Sequence, residues 1–192
     1  MRELLDLAAL DTPRAVLRLA EGRDATDLAA VFGELMPLFE RTGRAAPAMA
    51  MAQAALEHEI QPPRGSRERA RTFVIRARVG HEVAGVLGYY VGYPEQDTLY
   101  VSQLFLRPRW QGLGLGREVM GALEERAAGA GVREIRLGVD PGNWGALRFW
   151  VRMGYDRITK LVDVPELGAS GPPRFELCKA GAVAHRPPRN PG

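Results

Sequence analysis

The sequence predicts a single α/β (α+β) domain with a mixed, mostly antiparallel central sheet of six to seven strands flanked by about four helices. Three observations predict this class. Strand-like alternation and helical periodicity follow one another in the order strand, helices, three strands, helix, strand, helix, two strands. The 192 residues suffice for one core. A glycine-rich turn separates the last of the three consecutive strands from the helix after it.

The predicted domain spans residues 13–180, between an N-terminal extension (1–12) and a C-terminal tail (181–192). The tail is poor in apolar residues, so it is expected to be flexible, and the first ten residues are expected to fray. The single cysteine, Cys178, excludes an internal disulfide and favours a cytoplasmic location. It lies in the alternating run "RFELCKA", which predicts a small core residue.

The N-terminal half is predicted to hold one strand and then helices. The strand lies in "PRAVLRLAEGRD", residues 13–24, and ends in a turn at Gly22. Residues 24–44 carry apolar side chains at helical spacing, with Asp24 or Thr26 as the cap, and Pro37 is expected to kink or divide this helix. Strong helix formers predict a further helix over residues 46–60, and "QPPRGSRERAR" predicts an exposed loop.

From residue 71 the periodicity changes. Residues 71–108 predict an antiparallel meander of three strands, with a tight turn at "VGHE". A helix begins in the glycine motif and places Val119, Met120, Leu123 and Ala127 on one face. A strand "REIRLGVD", a helix "WGALRFWVRMG" and two strands, "RITKLVDV" and "RFELCKA", complete the domain, with the loop "PELGASGPP" between the last two.

Composition argues against several classes of partner. The formal charge is +3 and the basic residues are dispersed, which does not favour nucleic acid. No apolar stretch approaches the roughly 20 residues of a membrane span, and the N-terminal "MRELLDLAALDT" carries acids, unlike a signal peptide. The three histidines lack the spacing of metal ligands, so no metal site is predicted.

The stretch "RWQGLGLGREVM", residues 109–120, carries the strongest functional signal. Alternating glycines at a helix start expose backbone N–H groups to an anion. A dinucleotide fingerprint would need a small residue where Arg117 stands, and "RPRW" intervenes after the strand, although Asp140 lies at a suitable distance for a ribose contact. This alternative is weakened and stays open. A triphosphate loop would need Lys followed by Ser or Thr, which is absent.

The segment "LRPRWQGLGLGREVM" resembles the acetyl-coenzyme A pyrophosphate loop of the GNAT superfamily of N-acetyltransferases. Gln111, Gly114 and Gly116 match the loop pattern, and Leu106 and Pro108 match the strand end before it. A second segment, "NWGALRFWVRMGY", residues 143–155, resembles the coenzyme-side helix of that family. The resemblance covers roughly residues 14–180 and is strongest from 104 to 155.

The resemblance implies a coenzyme site. Its pantetheine arm would pair with the free edge of the strand before the loop, and its pyrophosphate would lie on the backbone N–H groups of the glycine loop. The side chains of Leu113 and Leu115 are expected to turn inward to the core. The predicted coenzyme-binding residues are Leu104, Phe105, Leu106, Gln111, Gly112, Leu113, Gly114, Leu115, Gly116, Arg117, Asn143 and Trp150.

The sequence does not identify the catalytic residues. Trp150 stands where family members commonly carry a tyrosine that acts as the general acid. The indole of Trp150 does not ionise in the accessible pH range. Tyr100 and Tyr155 are alternative acids, although Tyr155 stands at the Gly-Phe position of the family and is expected to belong to the core. No carboxylate lies between Asp97 and Glu118, where family members often place a base. A water molecule could instead pass the proton of the amine to Glu34, Glu40, Glu95 or Asp97. Alternatively, the acceptor is an amine of low pKa that needs no base. An acceptor wall is expected from Met36, Phe39, Tyr89, Tyr93 and Trp110.

The resemblance therefore implies an N-acetyltransferase that uses acetyl-coenzyme A and a primary amine of a small molecule or peptide. The implied protein is cytoplasmic, a monomer or homodimer, with no metal, nucleic acid or membrane as partner. The alternative function is a non-catalytic module that senses acyl-coenzyme A, which Trp150 and the strand without a carboxylate favour.

Overall fold

The computed structural model describes residues 1–59, 65–162 and 174–180. They form one eight-stranded sheet in the order β1-β2-β3-β4-β5-β6-β8-β7. The strands are Ala9–Asp11 (β1), Ala15–Leu19 (β2), Ala70–Ala77 (β3), Val83–Val91 (β4), Thr98–Leu106 (β5), Glu134–Val139 (β6), Arg157–Val162 (β7) and Arg174–Ala180 (β8). The helices are Arg2–Leu5 (α1), Ala25–Glu34 (α2), Met36–Arg41 (α3), Ala48–Leu56 (α4), Leu115–Gly129 (α5) and Trp144–Arg152 (α6).

The predicted fold class is confirmed. Neighbouring strands are antiparallel except for β5 and β6, which are parallel, because α5 carries the chain back across the sheet between them. The meander predicted over residues 71–108 is β3, β4 and β5. The described residues hold one strand more than the upper end of the prediction and two helices more.

The extra strand and one extra helix come from the N-terminal residues. The prediction that the first ten residues fray is wrong. Leu4 in α1 and Leu10 in β1 are buried, and β1 pairs with β2 in the register Leu10↔Leu17. Burial of two leucines stabilises a segment too short to form structure alone. Residues 181–192, predicted to be a flexible tail, and the loop "PELGASGPP" lie outside the described residues.

The other extra helix comes from the division of the segment before Pro37. Helix α2 ends at Glu34, and Pro37 lies in the first turn of α3, where its missing N–H leaves no helical hydrogen bond unmade. The expected division is therefore confirmed.

The sheet has a core on each face. Helices α5 and α6 cover one face, where Val119, Met120 and Leu123 pack on the strands. Helices α2, α3 and α4 cover the other face, where Phe32 and Phe39 pack against Val74, Val86 and Phe105. Cys178 is fully buried in β8, as predicted. The helices thus sandwich the sheet and leave the carboxyl end of β5 between them.

Candidate functional site

Strands β5 and β6 separate at their carboxyl ends. Val101 and Leu137 are the last residues that pair between them, although β5 continues to Leu106 and β6 to Val139. The β6 side of β5 is therefore free from Ser102 to Leu106, while its other side stays paired with β4. A cavity of about 590 Å³ opens in this gap. A free strand edge beside a cavity suits the addition of an extended ligand.

A bulge in β5 lies where the two strands part. Tyr89 of β4 pairs with Val101 and Gly88 pairs with Gln103, so Ser102 is the extra residue. The Ser102 Oγ lies 2.9 Å, and the Gln103 Nε2 3.2 Å, from the place where a side chain on Gly88 would begin. Glycine at position 88 thus makes room for two consecutive polar side chains, which both line the cavity.

The side chain of Gln103 is buried with part of its hydrogen-bonding capacity unused. The residue is only 4% exposed, and its side-chain Oε1 has no hydrogen-bond partner among the described residues. Phe105, two residues further, packs edge-on against Phe32 and Phe39 on the face covered by α2 and α3. Because alternate residues of a strand share a face, Gln103 points to that face too. An orphaned carboxamide therefore lies at the wall of the cavity nearest α2 and α3.

The glycine loop forms the other end of the cavity. Gly112 and Gly114 have φ of +72° and +84°, a conformation that favours glycine, and α5 begins directly after Gly114. Six consecutive backbone N–H groups, from residue 112 to 117, donate no hydrogen bond to any described residue. Together with the positive end of the α5 dipole, they make an anion-binding surface.

Each glycine of this loop has its own physical reason. Gly112 has open space around it among the described residues, so only its positive φ favours glycine at this position. Gly114 combines a positive φ with a position 3.4 Å from Arg14 Nη2. Gly116 is helical, and a side chain there would lie 3.4 Å from the ring of Phe149. The third glycine thus sets how closely α5 approaches α6.

Ten of the twelve residues predicted for the coenzyme site line the cavity, the exceptions being Leu113 and Leu115. The prediction that both leucines turn inward is half wrong: Leu115 is buried, whereas Leu113 is 59% exposed. Strand-like alternation does not hold in this loop, because the residues on both sides of Leu113 have positive φ. The Leu113 side chain consequently faces solvent.

Two predicted polar residues have structural partners. Gln111 Nε2 donates a 2.7 Å hydrogen bond to the carbonyl of Leu106, which ties the loop to the end of β5. The Asn143 side-chain oxygen accepts from the Ala146 N–H and caps α6. Sequence reasoning missed two arginines that also line the cavity, Arg148 and Arg152, which the i, i+4 spacing places on one side of α6.

The candidate acids lie in different surroundings. Trp150 lines the cavity and packs edge-on against Phe149 and Tyr155. Tyr155 is fully buried and donates to Glu124 Oε1 at 2.8 Å, and burial holds its pKa far above the usual range. Burial raises the pKa of Tyr100 to about 12. Neither tyrosine is among the residues that line the cavity. The sequence expectation that Tyr155 belongs to the core is confirmed.

The candidate bases are engaged elsewhere or lie outside the cavity. Glu34 pairs with Arg107, whose hydrogen bond lowers its pKa, and Asp97 pairs with Arg133. Asp140 is the only carboxylate among the described residues that line the cavity, and Arg44 binds it with three hydrogen bonds. Because Arg44 occupies the carboxylate of Asp140, a ribose contact of the dinucleotide type is disfavoured.

The expected acceptor wall is only partly assembled at the cavity. Trp110 lines it, joined by Leu35 and Leu38, which the sequence did not single out. Tyr89 instead belongs to the core, where its hydroxyl donates to the carbonyl of Leu4 at 2.7 Å, and Tyr93 packs against Tyr100. Phe39 packs in the core under α3. The apolar wall of the cavity therefore includes Trp110, Leu35 and Leu38, but not the two tyrosines or Phe39.

A profile of the acetyltransferase (GNAT) family matches residues 34–155, more than half of the chain, across the meander, the glycine loop and α6. The chain belongs to this family. The GNAT acetyltransferases use acetyl-coenzyme A, and the fold, the parted strands and the glycine loop of this chain have the form that the sequence resemblance implied.

Individual proteins are similar to this GNAT acetyltransferase in sequence and in structure. The L-2,4-diaminobutyric acid acetyltransferase of Shouchella clausii (strain KSM-K16) is 33% identical over 69 residues, which are 36% of this chain and 39% of that protein. A crystal structure of an acetyltransferase from Thermus thermophilus is 28% identical, with a TM-score of 0.64 over 90% of this chain and 99% of that one.

A third relative is similar in fold. The microcin C7 self-immunity acetyltransferase MccE, solved in complex with acetyl-CoA and AMP, has a TM-score of 0.66 at 14% identity over 88% of this chain and 93% of that one. Two further findings concern only the residues that the structure describes. None of their helices is both long and apolar enough to cross a membrane. Their His, Cys, Asp and Glu side chains form no group of three or more suited to a metal ion.

Proposed function

We propose that this protein is an N-acetyltransferase that transfers the acetyl group of acetyl-coenzyme A to a primary amine of a small molecule or peptide. The observation that carries this proposal is the free edge of β5, from Ser102 to Leu106. This edge leads directly to the N–H groups of the glycine loop, which have no partner in the part of the chain that the structure describes. One cavity thus offers main-chain partners for an extended amide-rich arm and an anion site at its end.

The charges along the cavity support an anionic ligand at the loop end. Arg117 lines the cavity in the first turn of α5, where the helix dipole adds to its potential. Arg148 and Arg152 of α6 also line the cavity. Leu104 and Leu106 belong to the apolar side on which α5 packs. The ligand this arrangement suits is long, with phosphates at one end and an extended neutral arm at the other.

The chemistry is a direct attack. The amine nitrogen forms a bond with the thioester carbonyl carbon, the carbon–sulfur bond breaks, and the amide and free thiol are the products. The amine loses one proton and the departing thiolate gains one, so the reaction needs no other reactant. A main-chain N–H near Leu106 would stabilise the developing oxyanion, since this edge of β5 is free.

The acceptor is expected to bind as a neutral amine. The apolar side chains of the wall towards α2 and α3 are Leu35, Leu38 and Phe105, and the one carboxylate among the described residues of the cavity is held by Arg44. A desolvated ammonium without a counter-ion is unfavourable there. An α-amino group, with a pKa of about 7.7–8.0, suits this site better than a lysine side chain with a pKa near about 10.4.

The bulge is the place where we expect the amine to be held. Ser102 and Gln103 are polar side chains on this wall, and the Gln103 Oε1 has no hydrogen-bond partner among the described residues. A carboxamide accepts a hydrogen bond from a neutral amine without taking its proton. The Shouchella clausii relative is an L-2,4-diaminobutyric acid acetyltransferase, which supports a small primary amine as acceptor.

A second candidate function is an acyl-coenzyme A sensor without turnover. The observation that favours it is Trp150, which lines the cavity where an ionisable acid would act. A sensor would bind acetyl-coenzyme A and release no thiol above background with any amine.

The deciding experiment is thiol release from acetyl-coenzyme A with L-2,4-diaminobutyrate, triglycine and Nα-acetyl-lysine, with the acetylated nitrogen of the product identified by NMR. The proposal predicts turnover with at least one α-amine, and a Gln103→Met variant with a raised KM for that amine. Coenzyme binding without thiol release would favour the sensor instead.

A further inference from the structure

Arg14, the residue before β2, reaches across to the glycine loop. Its backbone N–H donates to Glu118 Oε1 at 2.7 Å, and its Nε donates to Glu118 Oε2 at 2.7 Å. Its Nη1 donates to the carbonyl of Leu113, 99 residues further along the chain, at 2.8 Å. One side chain therefore holds both the loop and the first turn of α5.

The bond to Leu113 fixes the direction of an N–H group. The peptide between Leu113 and Gly114 is trans, so its carbonyl and its N–H point to opposite sides. Because Arg14 holds the carbonyl on its own side, the Gly114 N–H points away from Arg14. Gly114 lines the cavity, and its N–H is one of the six without a partner among the described residues. Arg14 thus presets a donor for an anion.

The bond to Glu118 removes an unfavourable charge. Glu118 lies in the first turn of α5, close to the helix end that the phosphates would occupy. An unpaired carboxylate there would repel an anionic ligand. The Glu118 side chain is only 17% exposed, so solvent screens it weakly, and Arg14 is its ion-pair partner.

We propose that Arg14 is a positioning residue for the phosphates of the coenzyme: it orients the Leu113–Gly114 peptide and neutralises Glu118 without contacting the ligand. This inference rests on the proposed coenzyme site. It predicts that loss of the Arg14 side chain weakens the binding of a ligand with a pyrophosphate and leaves the reaction of a ligand without one unchanged.

The test compares Arg14→Met with Arg78→Met. Arg78 is a matched control, because its side chain is similarly exposed, pairs with Asp11 and donates to the carbonyl of Thr12. Among the described residues, its side chain makes no hydrogen bond or ion pair with Leu113 or Glu118. Calorimetry measures the Kd for acetyl-coenzyme A. S-acetyl-pantetheine lacks the phosphates and serves as the second substrate. Its turnover is measured with the amine that the wild-type protein acetylates fastest. If the wild-type protein acetylates no amine, thiol release from S-acetyl-pantetheine is measured without one.

The proposal predicts that Arg14→Met raises the Kd for acetyl-coenzyme A about tenfold, as the loss of a preset charge-assisted site would. Arg78→Met should leave it unchanged, and S-acetyl-pantetheine should react equally with all three proteins. An unchanged Kd in Arg14→Met, or an equal loss with S-acetyl-pantetheine, overturns the inference while the proposed function stands. A wild-type protein that binds no acetyl-coenzyme A overturns both.

Discussion

Arg44 donates three hydrogen bonds of 2.6–2.9 Å to the carboxylate of Asp140, 96 residues further along the chain. Arg44 follows α3, and Asp140 follows the last residue of β6, so the pair ties the helices on one face of the sheet to the strand that borders the cavity. Both side chains are mostly buried, with 28% and 18% exposed. Arg44 thus holds in place a carboxylate that lines the cavity at the carboxyl end of β6.

Replacing Arg44 with Met should therefore destabilise the fold. Among the described residues, Asp140 would keep only Arg174, at 4.0 Å. A partly buried carboxylate without a close partner costs about 1–3 kcal/mol of the free energy of unfolding. Urea unfolding measures this loss. Arg41→Met, at an exposed position on α3, is the control and should change stability little. Equal stabilities of the two variants would contradict a structural role for the pair.

Gly114→Val should weaken coenzyme binding. Valine is strained at a φ of +84°, by about 1–2 kcal/mol, and its side chain would press on Arg14. The loop would then lose its preset N–H groups, so we expect the Kd for acetyl-coenzyme A to rise at least tenfold, as measured by calorimetry.

The matched control is Gly121→Ala in the same helix. A side chain there would meet no other atom within 4 Å, so the free energy of unfolding should rise by about 0.5–1 kcal/mol with unchanged coenzyme affinity. If Gly114→Val binds the coenzyme as tightly as Gly121→Ala, the loop is not the phosphate site.

Trp150→Phe should leave most of the turnover intact, because indole does not transfer a proton in the accessible pH range. The smaller ring leaves a gap beside Phe149 and Tyr155, so some stability is lost, and thermal unfolding separates that loss from an effect on rate. A general acid contributes at least about a hundredfold to rate. A fall of that size in kcat, with the fold intact, would show that Trp150 takes part in proton transfer.

Stability should fall steeply at alkaline pH. Burial raises the pKa of Tyr100 from 10 to about 12, so between these values the folded protein keeps a proton that the unfolded chain has lost. Each such group makes the free energy of unfolding fall by up to about 1.4 kcal/mol per pH unit in this window. Below about pH 10, the ordinary tyrosine pKa, its contribution is fully present.

Tyr100→Phe isolates this contribution. The pKa values of Tyr89 and Tyr155 are also raised by burial, so some alkaline loss should remain in the variant, but with a shallower slope. Urea unfolding between about pH 9 and 11 gives the slopes. Identical slopes in the variant and the wild-type protein would mean that Tyr100 ionises as freely in the folded protein as in the unfolded chain.

Local patterns predicted most of the fold. The residues predicted on one face of α5, Val119, Met120, Leu123 and Ala127, are all buried. The meander and the division of the helix at Pro37 followed in the same way from periodicity and from the missing N–H of proline. These features depend on neighbours a few residues apart, which a sequence displays directly.

Long-range partners had no such signal. Arg14 and Arg44 looked like any of the dispersed arginines, since their partners lie 99 and 96 residues away. The bulge at Ser102 depends on Gly88 in the adjacent strand. The outward turn of Leu113 depends on the positive φ of its two neighbours, which the glycines permit but do not dictate.

The most direct test of the account is calorimetric titration of the purified protein with acetyl-coenzyme A, coenzyme A, NAD and ATP. The parted strands and the glycine loop predict binding of acetyl-coenzyme A and coenzyme A, with no comparable binding of NAD or ATP. Binding of NAD in preference to the coenzyme A pair would contradict the account and return the glycine loop to the dinucleotide interpretation.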